Sequence, residues 1–523
     1  MDGSTPKSES KRGSTSTRPG ARWLALVALV LPVLLMSIDL TVLSIAIPEI
    51  SEDLAPSSSQ LLWIIDIYGF FLAGLLVLMG ALGDRVGRRR LLLIGSAAFG
   101  AASALAAFAP SAEWLIVARA LMGVGGATLM PSTLSLIRNL FTDPAERRTA
   151  VSVWAAAFAG GAGLGPIVGG LLLEHFWWGS VFLINVPVIG LLLVCVPLLI
   201  PESRDPHPGP FDVASAVLLT GSILIVVWGL KHIAEYGPNL PGVAAIVGGG
   251  ALGAVFTVRQ RRLATPLIDI GLFAHRPFTV AVLANVLGVF ALTGLLYYYP
   301  QYVQSVLGRS PLQAGLWALP IAAGAILGAL SAPVVARHLR VGTIIATGLA
   351  AAAVGYYVLS SLGVSQDITV AFIGGAVIGT GVGLADTLTN DVILATAPAS
   401  KAGAAAGISE TAYELGGALG TAVLGSIGAR LYTDQLATAE LPGLPEQARA
   451  AAQETLGAAH LVAEQAPPAL GASLLDAARE AFVTGMNASF LTAAALVLVA
   501  AVMALLALHR VPSPVGGTSS DSL

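Results

Sequence analysis

The sequence predicts an all-α integral membrane protein with fourteen spanning helices. Three observations support this fold class: a mean hydropathy of +0.81, a content of 55% hydrophobic but only 11% charged residues, and a series of long apolar runs. Soluble domains carry about 25% charged residues, and no aqueous fold could bury this much apolar surface. The formal net charge is only −3, so no nucleic-acid partner is expected.

A spanning helix needs about 20 mainly apolar residues, and the chain contains fourteen such runs. Residues 1–22 are rich in Ser, Lys and Arg and are expected to form a disordered tail, as are residues 511–523. No small-residue cleavage site follows the first tail, so the first run is interpreted as a retained span. The runs lie near 23–48, 59–82, 91–109, 113–136, 149–173, 179–200, 212–231, 241–258, 278–303, 312–335, 341–362, 369–396, 403–429 and 485–508.

The connecting charges predict the orientation of these spans. With both termini cytoplasmic, 21 of the 27 basic residues fall in inner segments and Arg119 alone falls within a span. This bias obeys the positive-inside rule, and a missed span would have inverted it in the later loops. The remaining five basic residues are assigned to outer segments: Lys231, Arg309, Arg430, Arg449 and Arg479.

One predicted outer segment, 430–484, is long. It contains two helix-like stretches, about 445–464 and 469–484, separated by Pro467 and Pro468. We expect an external helical hairpin between the last two spans; the alternative is a flexible loop.

A weak internal repeat divides the chain. Span four contains GVGGATL at 123–129, and span twelve contains GVGLADTL at 381–388. These positions correspond in two six-helix units, 23–200 and 276–510, with two inserted helices and their linkers at 201–275. Parallel repeats of this kind place a substrate site near the midplane, between the halves.

Several motifs have a specific spacing. Span one reads DLTVLSIAIP at 39–48, and the loop after span two reads GALGDRVGRR at 80–89. Span four carries Leu115, Arg119, Gly123 and Gly125, and span six opens with Trp178 and FLINVP at 182–187. Span five carries a glycine series with one proline, comprising Gly161, Gly165, Pro166, Gly169 and Gly170.

Taken together, these motifs resemble the fourteen-helix drug:proton antiporters of the major facilitator superfamily, over nearly the whole chain. Within that family, the similarity is greatest to exporters of quaternary ammonium compounds and dyes. WIIDIY at 63–68 and ETAYELG at 410–416 also resemble those exporters. The chain departs from the family pattern at five positions. Ser44 replaces Asn, Met122 replaces Gln, Gly179 replaces Arg, Ala325 stands where a carboxylate is expected, and Ser409 stands where a second acidic residue often precedes the first.

The resemblance implies conformational roles for two of these motifs. Asp84, Arg85 and Arg88, with Gly80 and Gly87, would form a salt-bridge latch that holds the outward-open state; alternatively, the arginines only anchor the topology. The glycines of span five and Pro166 would form a leak-proof hinge between the halves. The alternative is tight helix packing, which small residues permit.

Ionisable side chains within spans are the main candidates for function. An intramembrane charge costs about 2.5–3.5 kcal/mol on insertion scales, and not all of these carboxylates can be ionised together in a low dielectric. Some are therefore expected to hold protons near neutrality and to compete for a lipophilic cation. The set comprises Asp39, Asp66, Asp386, Asp391, Glu410 and Glu414, with Arg119 as the only base.

The candidates differ in their expected roles. Glu410 and Glu414 are four residues apart and share one helix face, with Tyr413 adjacent. Asp39 is the first choice for proton coupling, followed by either glutamate. For Asp386 and Asp391, a structural hydrogen-bonding role is as plausible as substrate contact. Arg119 is expected to pair with a carboxylate, either to tune a proton-carrying Asp or simply to neutralise a buried charge.

Aromatic side chains could provide an apolar wall and cation–π contacts. We assign this role to Trp63, Tyr68 and Phe71. The row Tyr297, Tyr298 and Tyr299 is instead interpreted as part of an interfacial aromatic belt.

These observations favour a proton-driven multidrug exporter located in the cell membrane and acting as a monomer. No P-loop is present, so ATP is not expected to drive transport. No metal-ligand cluster or nucleophile–base pair stands out, so neither an enzyme nor a bound cofactor is expected. The alternatives are an exporter dedicated to one compound, such as an antibiotic the host makes, an uptake symporter, and a non-transporting receptor or scaffold.

Overall fold

The computed structural model describes residues 19–204, 212–264, 266–364, 368–397 and 402–508, and every long element in these ranges is an α-helix. The predicted C-terminal tail and most of the N-terminal tail lie outside the described residues. Residues 19–22, assigned to the tail, are instead the start of the first helix.

The N-terminal half follows the predicted spans, with two of them interrupted. Span four is broken at Ala127 and Thr128, just after its glycine cluster, and span six is broken at Ile184. The helices are α1 (Pro19–Leu54), α2 (Ser58–Val86), α3 (Arg88–Ala107), α4 (Ala112–Gly126), α5 (Leu129–Leu140), α6 (Pro144–His175), α7 (Ser180–Leu183) and α8 (Asn185–Leu199).

Two inserted helices, α9 (Val213–Tyr236) and α10 (Leu240–Arg262), follow this half and pack against each other. Gly249 allows the close approach, because a Cβ there would lie 2.9 Å from the backbone nitrogen of Val226. Helix α9 also packs against α2 of the first half and α16 of the second, so the insert is part of the helical bundle.

The C-terminal half starts with a long helix that ends in a π-helical turn, Tyr302–Val306. Its helices are α11 (Arg276–Gln301), α12 (Pro311–Trp317), α13 (Leu319–Val335), α14 (Val341–Leu359), α15 (Ile368–Thr396), α16 (Ala402–Thr438), α17 (Glu446–Ala452), α18 (Leu456–Gln465) and α19 (Pro468–Ala507).

Within the described residues, thirteen helical segments are long and apolar enough to cross a membrane. Helix α16 is not among them, although its 37 residues occupy the predicted thirteenth span and pack against α2, α11 and α19. The chain is therefore a multi-pass membrane protein, while the count of fourteen and the orientation remain predictions.

The segment between α16 and α19 contains α17 and α18 and forms a folded cap, defined here as residues 439–467. The hydroxyl of Tyr432 donates to the carbonyl of Ala452 (2.8 Å), and the hydroxyl of Ser58 donates to that of Glu454. These contacts fit the helical interpretation better than the flexible loop. The predicted hairpin needs two corrections: its first arm is split into α17 and α18, and its second arm is continuous with α19.

Candidate functional site

A central cavity of about 910 Å³ lies between the two halves. Helices α1, α2, α4 and α6 line one side, and α11 and α16 line the other. Five predicted site residues contribute to its wall: Asp66, Tyr68, Arg119, Tyr413 and Glu414.

Arg119 and Asp39 form a fully buried ion pair beside this cavity. The Nη1 of Arg119 donates to Oδ2 of Asp39 at 2.6 Å, and the two side chains are 2% and 0% exposed. The Nε of Arg119 donates to the carbonyl oxygen of Ile64 (3.1 Å), and its guanidinium lies 4.5 Å from the ring centroid of Tyr68. The pair therefore joins α1, α2 and α4 and is neutral overall.

Asp66 has a cationic partner that the sequence analysis placed elsewhere. The Nζ of Lys231, on α9, lies 2.8 Å from Oδ2 of Asp66, and both side chains are buried. The assignment of Lys231 to an outer loop is therefore wrong: it lies inside a helix, and Arg119 is not the only base within a span. The ring of Trp63 covers the Lys231 ammonium at 4.2 Å.

Glu414 differs from these two carboxylates. It lines the cavity and is only 4% exposed, yet neither Arg nor Lys pairs with it in the described part of the chain. Its Oε1 is buried and lacks a hydrogen-bond partner among those residues. Among the described residues, Asp39 beside the cavity and Asp66 in its wall are each paired with a base, and Glu414 is the buried carboxylate of the wall that is available for a proton or a cation.

The other predicted carboxylates do not line the cavity wall. Asp386 accepts a hydrogen bond from Nδ2 of Asn285 (2.5 Å) in a separate cavity of about 200 Å³. Asp391 is exposed near the end of α15, and Glu410 is half-buried one turn before Glu414. The contact with Asn285 favours the structural interpretation of Asp386.

The predicted aromatic wall needs correction. Tyr68 lines the cavity, but Trp63 covers Lys231 instead, and Phe71 packs beside Gly123 of α4. The remaining aromatic side chains of the wall are Phe158, Tyr297 and Tyr413.

The interpretation of the tyrosine row as an interfacial belt is also wrong. Tyr297 lines the cavity, and all three tyrosines are buried. The hydroxyls of Tyr298 and Tyr299 donate to the carbonyls of Leu424 (3.0 Å) and Trp317 (2.9 Å).

The glycine- and arginine-rich loop after α2 is held by local charge pairs. Asp84 pairs with Arg88 four residues later at 2.5 Å, and Gly80 faces Pro131 of α5. Gly87 has a φ of +114°, and a Cβ there would lie 2.7 Å from the carboxylate of Glu202. That carboxylate accepts hydrogen bonds from the backbone nitrogens of Arg89 and Arg90, so the loop is tied to the chain after α8. The role of Arg85 and the latch itself remain hypotheses.

The glycine series of α6 faces two partners. On one side, a Cβ at Gly161 would lie 2.8 Å from the carbonyl oxygen of Leu34, and Gly165 and Gly169 face Thr41 and Val42 of α1 in the same way. On the other side, a Cβ at Gly170 would lie 2.7 Å from Leu312 of α12.

Helix α12 meets α6 through a glycine of its own, because a Cβ at Gly315 would collide with the carbonyl of Pro166. Here the backbones of the two halves are in contact, and Gln304 adds a hydrogen bond to the carbonyl of Ile45 (2.9 Å). The packing and hinge interpretations therefore apply to the same surface.

Comparison with known proteins identifies the family. The model of the Major Facilitator Superfamily matches residues 29–421. The chain belongs to this superfamily. Its similarity to curated relatives places it among the drug-efflux transporters of that superfamily.

Two of these relatives cover nearly the whole chain. The multidrug efflux pump LfrA of Mycolicibacterium smegmatis is 50% identical over 95% of this chain and 98% of its own length. The methyl viologen resistance protein SmvA of Salmonella typhimurium is 37% identical over 92% of this chain and 97% of its own length.

A solved structure supports the superfamily fold. A bacterial homologue of the human lysosomal transporter Spinster, in an inward-facing and unoccupied conformation, aligns with a TM-score of 0.64 at 18% identity. The alignment covers 94% of this chain and 99% of that one. At this identity the likeness concerns the fold alone.

In this major facilitator protein, two residues that contact the predicted carboxylates were given no functional role from the sequence. Asn285 binds Asp386, and Lys231 neutralises Asp66. The signal for Lys231 was the excess of carboxylates within spans, which a second base would partly offset. Hydropathy, however, placed the end of span seven at this lysine. Asn285 lies in an apolar run without a distinguishing motif.

Proposed function

We propose that this transporter exports hydrophobic, mainly cationic small molecules in exchange for protons. The proposal is supported by its membership of the drug-efflux branch and by the names of two relatives, a multidrug efflux pump and a methyl viologen resistance protein. Methyl viologen is an organic dication, so an acidic and aromatic cavity suits that class of compound.

Glu414 is the observation that carries the proposal. A carboxylate buried without a partner is costly in its charged form, and intramembrane carboxylates of this kind mark ion and substrate pathways. A proton or an organic cation can neutralise Glu414, but both cannot do so at once. Competition for one site couples the two fluxes, since binding of the proton requires release of the cation and binding of the cation requires release of the proton.

The rest of the cavity supports a cation with an apolar body. Tyr68, Phe158, Tyr297 and Tyr413 offer aromatic surface, and Leu292, Leu296 and Val289 add aliphatic surface. In this scheme the proton gradient supplies the energy and no bound cofactor is required. The cavity is built within a single chain, which supports a monomer as the transport unit.

The test compares two glutamates of the same helix. Cells expressing the parent, Glu414→Gln or Glu410→Gln would be loaded with ethidium, and efflux would be followed by fluorescence with and without a protonophore. We expect the parent to export ethidium and to stop when the protonophore is added. Glu414→Gln should lower efflux by roughly tenfold or more, equivalent to about 1.4 kcal/mol or more of lost interaction.

Glu410→Gln is the matched control, because it removes the same charge one turn away from the cavity wall. It should retain most of the efflux. Equal loss in both variants would contradict the assignment to Glu414, and a well-expressed parent that exports no ethidium would contradict the broad-cation proposal. Efflux that survives the protonophore would contradict proton coupling.

A further inference from the structure

The Asp66–Lys231 pair lies between two cavities. Asp66 lines the central cavity, whereas Lys231 lines a second cavity of about 740 Å³. This second cavity lies beneath the cap. Its walls include the polar residues Ser58, Ser59, Ser426, Thr433, Gln453 and Glu454.

We propose that this pair is a proton-transfer station through which protons from the cavity beneath the cap reach the central cavity. The inference rests on the proposed proton-coupled export and adds a route for the proton that is separate from the substrate path. It also gives the inserted helix α9 a role in transport, because α9 supplies Lys231.

The geometry suits a transfer between two groups. The Lys231 Nζ lies 2.8 Å from the Asp66 carboxylate, and both are buried, at 3% and 0% side-chain exposure. The Trp63 ring lies over the ammonium at 4.2 Å. Apart from the lysine, neither Asp66 oxygen has a hydrogen-bond partner in the described chain, so little else holds the carboxylate in its charged form.

The proposed step is balanced by one proton taken up from solvent at one end and one released at the other. The Lys231 ammonium gives one proton to the Asp66 carboxylate, leaving a neutral amine and a carboxylic acid. A hydronium ion that enters the cavity beneath the cap from solvent returns a proton to the amine and leaves as water. Asp66 then releases its proton into the central cavity, where Glu414 can accept it, and the pair is restored.

Other charged and titratable groups face the two ends of this station. Glu414 and Tyr297 line the central cavity with Asp66, together with Arg119, whose charge is balanced by Asp39. Arg430 and Glu454 line the cavity beneath the cap with Lys231. The station therefore has an acceptor at its central end and charged groups of both signs at the other.

Lys231→Arg distinguishes proton transfer from simple charge neutralisation. Arginine keeps the positive charge and can pair with Asp66, but it does not lose its proton in proteins. Wild-type and variant proteins would be reconstituted into liposomes, and two activities measured with radiolabelled tetraphenylphosphonium. One is accumulation driven by a pH gradient, and the other is exchange across the membrane without a gradient.

We expect Lys231→Arg to exchange tetraphenylphosphonium at a rate comparable to wild type. Its gradient-driven accumulation should fall by about a hundredfold or more, since removing a positioned proton-transfer group typically has effects of this size. Retention of driven accumulation would overturn the inference and leave Lys231 as a static counterion. Wild-type protein that shows no driven accumulation would instead contradict the proposed function.

The charge-balanced variant Asp66→Asn/Lys231→Met covers the case in which arginine does not fit. It removes both charges, so no unpaired ion is left buried. We expect it to lose driven accumulation and to lower exchange by a much smaller factor, since Asp66 also lines the central cavity. Driven accumulation in this variant would overturn the inference, and loss of exchange in both variants would also do so by assigning the pair to the substrate path.

Discussion

At the scale of single residues, charge pairing divides the carboxylates around the cavity. Asp39 and Asp66 each have a buried cation within 2.8 Å, whereas Glu414 has none among the described residues. Removing one partner of a buried pair leaves the other charge without compensation, which is more destabilising than the pair is stabilising. The paired and unpaired residues should therefore respond differently to substitution.

For Asp39→Asn we expect a large loss of stability. Arg119, at 2% exposure, would be left as an unpaired buried cation, and breaking pairs of this kind costs about 3–5 kcal/mol. Asp84→Asn is the control, because its partner pair with Arg88 is partly exposed, at 38% for the Asp84 side chain, and exposed pairs contribute only about 0–1 kcal/mol. Thermal unfolding of the purified Asp39→Asn and Asp84→Asn variants measures the two losses of stability. Similar midpoints for the two variants would contradict the buried, stabilising role of the Asp39–Arg119 pair.

Most of these side chains could be identified from the sequence, but their partners could not. Hydropathy marks a charge within a span regardless of fold, so Asp39, Asp66, Arg119 and Glu414 stood out. The partner of Arg119 lies 80 residues away in the chain, and the partner of Asp66 lies on an inserted helix without a motif. Pairing depends on which faces of the helices meet, and this is determined by tertiary packing.

At the scale of elements, helix α6 forms a close backbone contact between the halves. Its glycines let α1 approach on one side and α12 on the other, so backbones touch where side chains would normally intervene. Small residues promote such close packing in membranes. The sequence predicted this use of the glycine series; the helix that meets Gly170 and Pro166 became known only from the structure.

For Gly170→Ala we expect impaired transport. The added Cβ would lie 2.7 Å from the backbone of Pro311 and Leu312, and relieving an overlap of this kind typically costs about 1–3 kcal/mol. The control is Gly160→Ala on the same helix, where a Cβ would meet nothing within 4 Å. Ethidium efflux rates at matched expression compare the two, and an unimpaired Gly170→Ala would show that this contact does not limit transport.

The positions of the helices could be predicted from the sequence better than the breaks and fusions within them. Apolar runs located every long helix, because span length follows directly from bilayer thickness. The break between α4 and α5 and the fusion of the second hairpin arm with α19 depend on local contacts that hydropathy does not report. Thr128 illustrates this, since its hydroxyl donates to the carbonyl of Gly125 (2.8 Å) at the break.

At the scale of the whole molecule, two helical halves enclose the cavity and the inserted pair packs beside them. The cap lies at the end where α1 finishes and α2 begins, because Ser58 bonds Glu454. The charge distribution predicts that this end faces outward. The orientation is open to a direct chemical test, since Cys195 is the single cysteine of the chain.

Topology can be measured by thiol labelling in a Cys195→Ala background. Glu440→Cys lies in the cap and Thr142→Cys lies between α5 and α6, and both positions are exposed. We expect a membrane-impermeant maleimide added to intact cells to label position 440 and to leave position 142 unlabelled until the cells are opened. The reverse pattern would invert the orientation, and labelling of both positions in intact cells would contradict the number of spans between them.

The central claim is that a proton and an organic cation compete for Glu414. It is tested most directly by adding tetraphenylphosphonium to the purified protein in weakly buffered solution and recording proton release with a pH indicator. We expect protons to be released on binding by the parent and by Glu410→Gln, but not by Glu414→Gln. Binding of the cation by the parent without proton release would contradict the account.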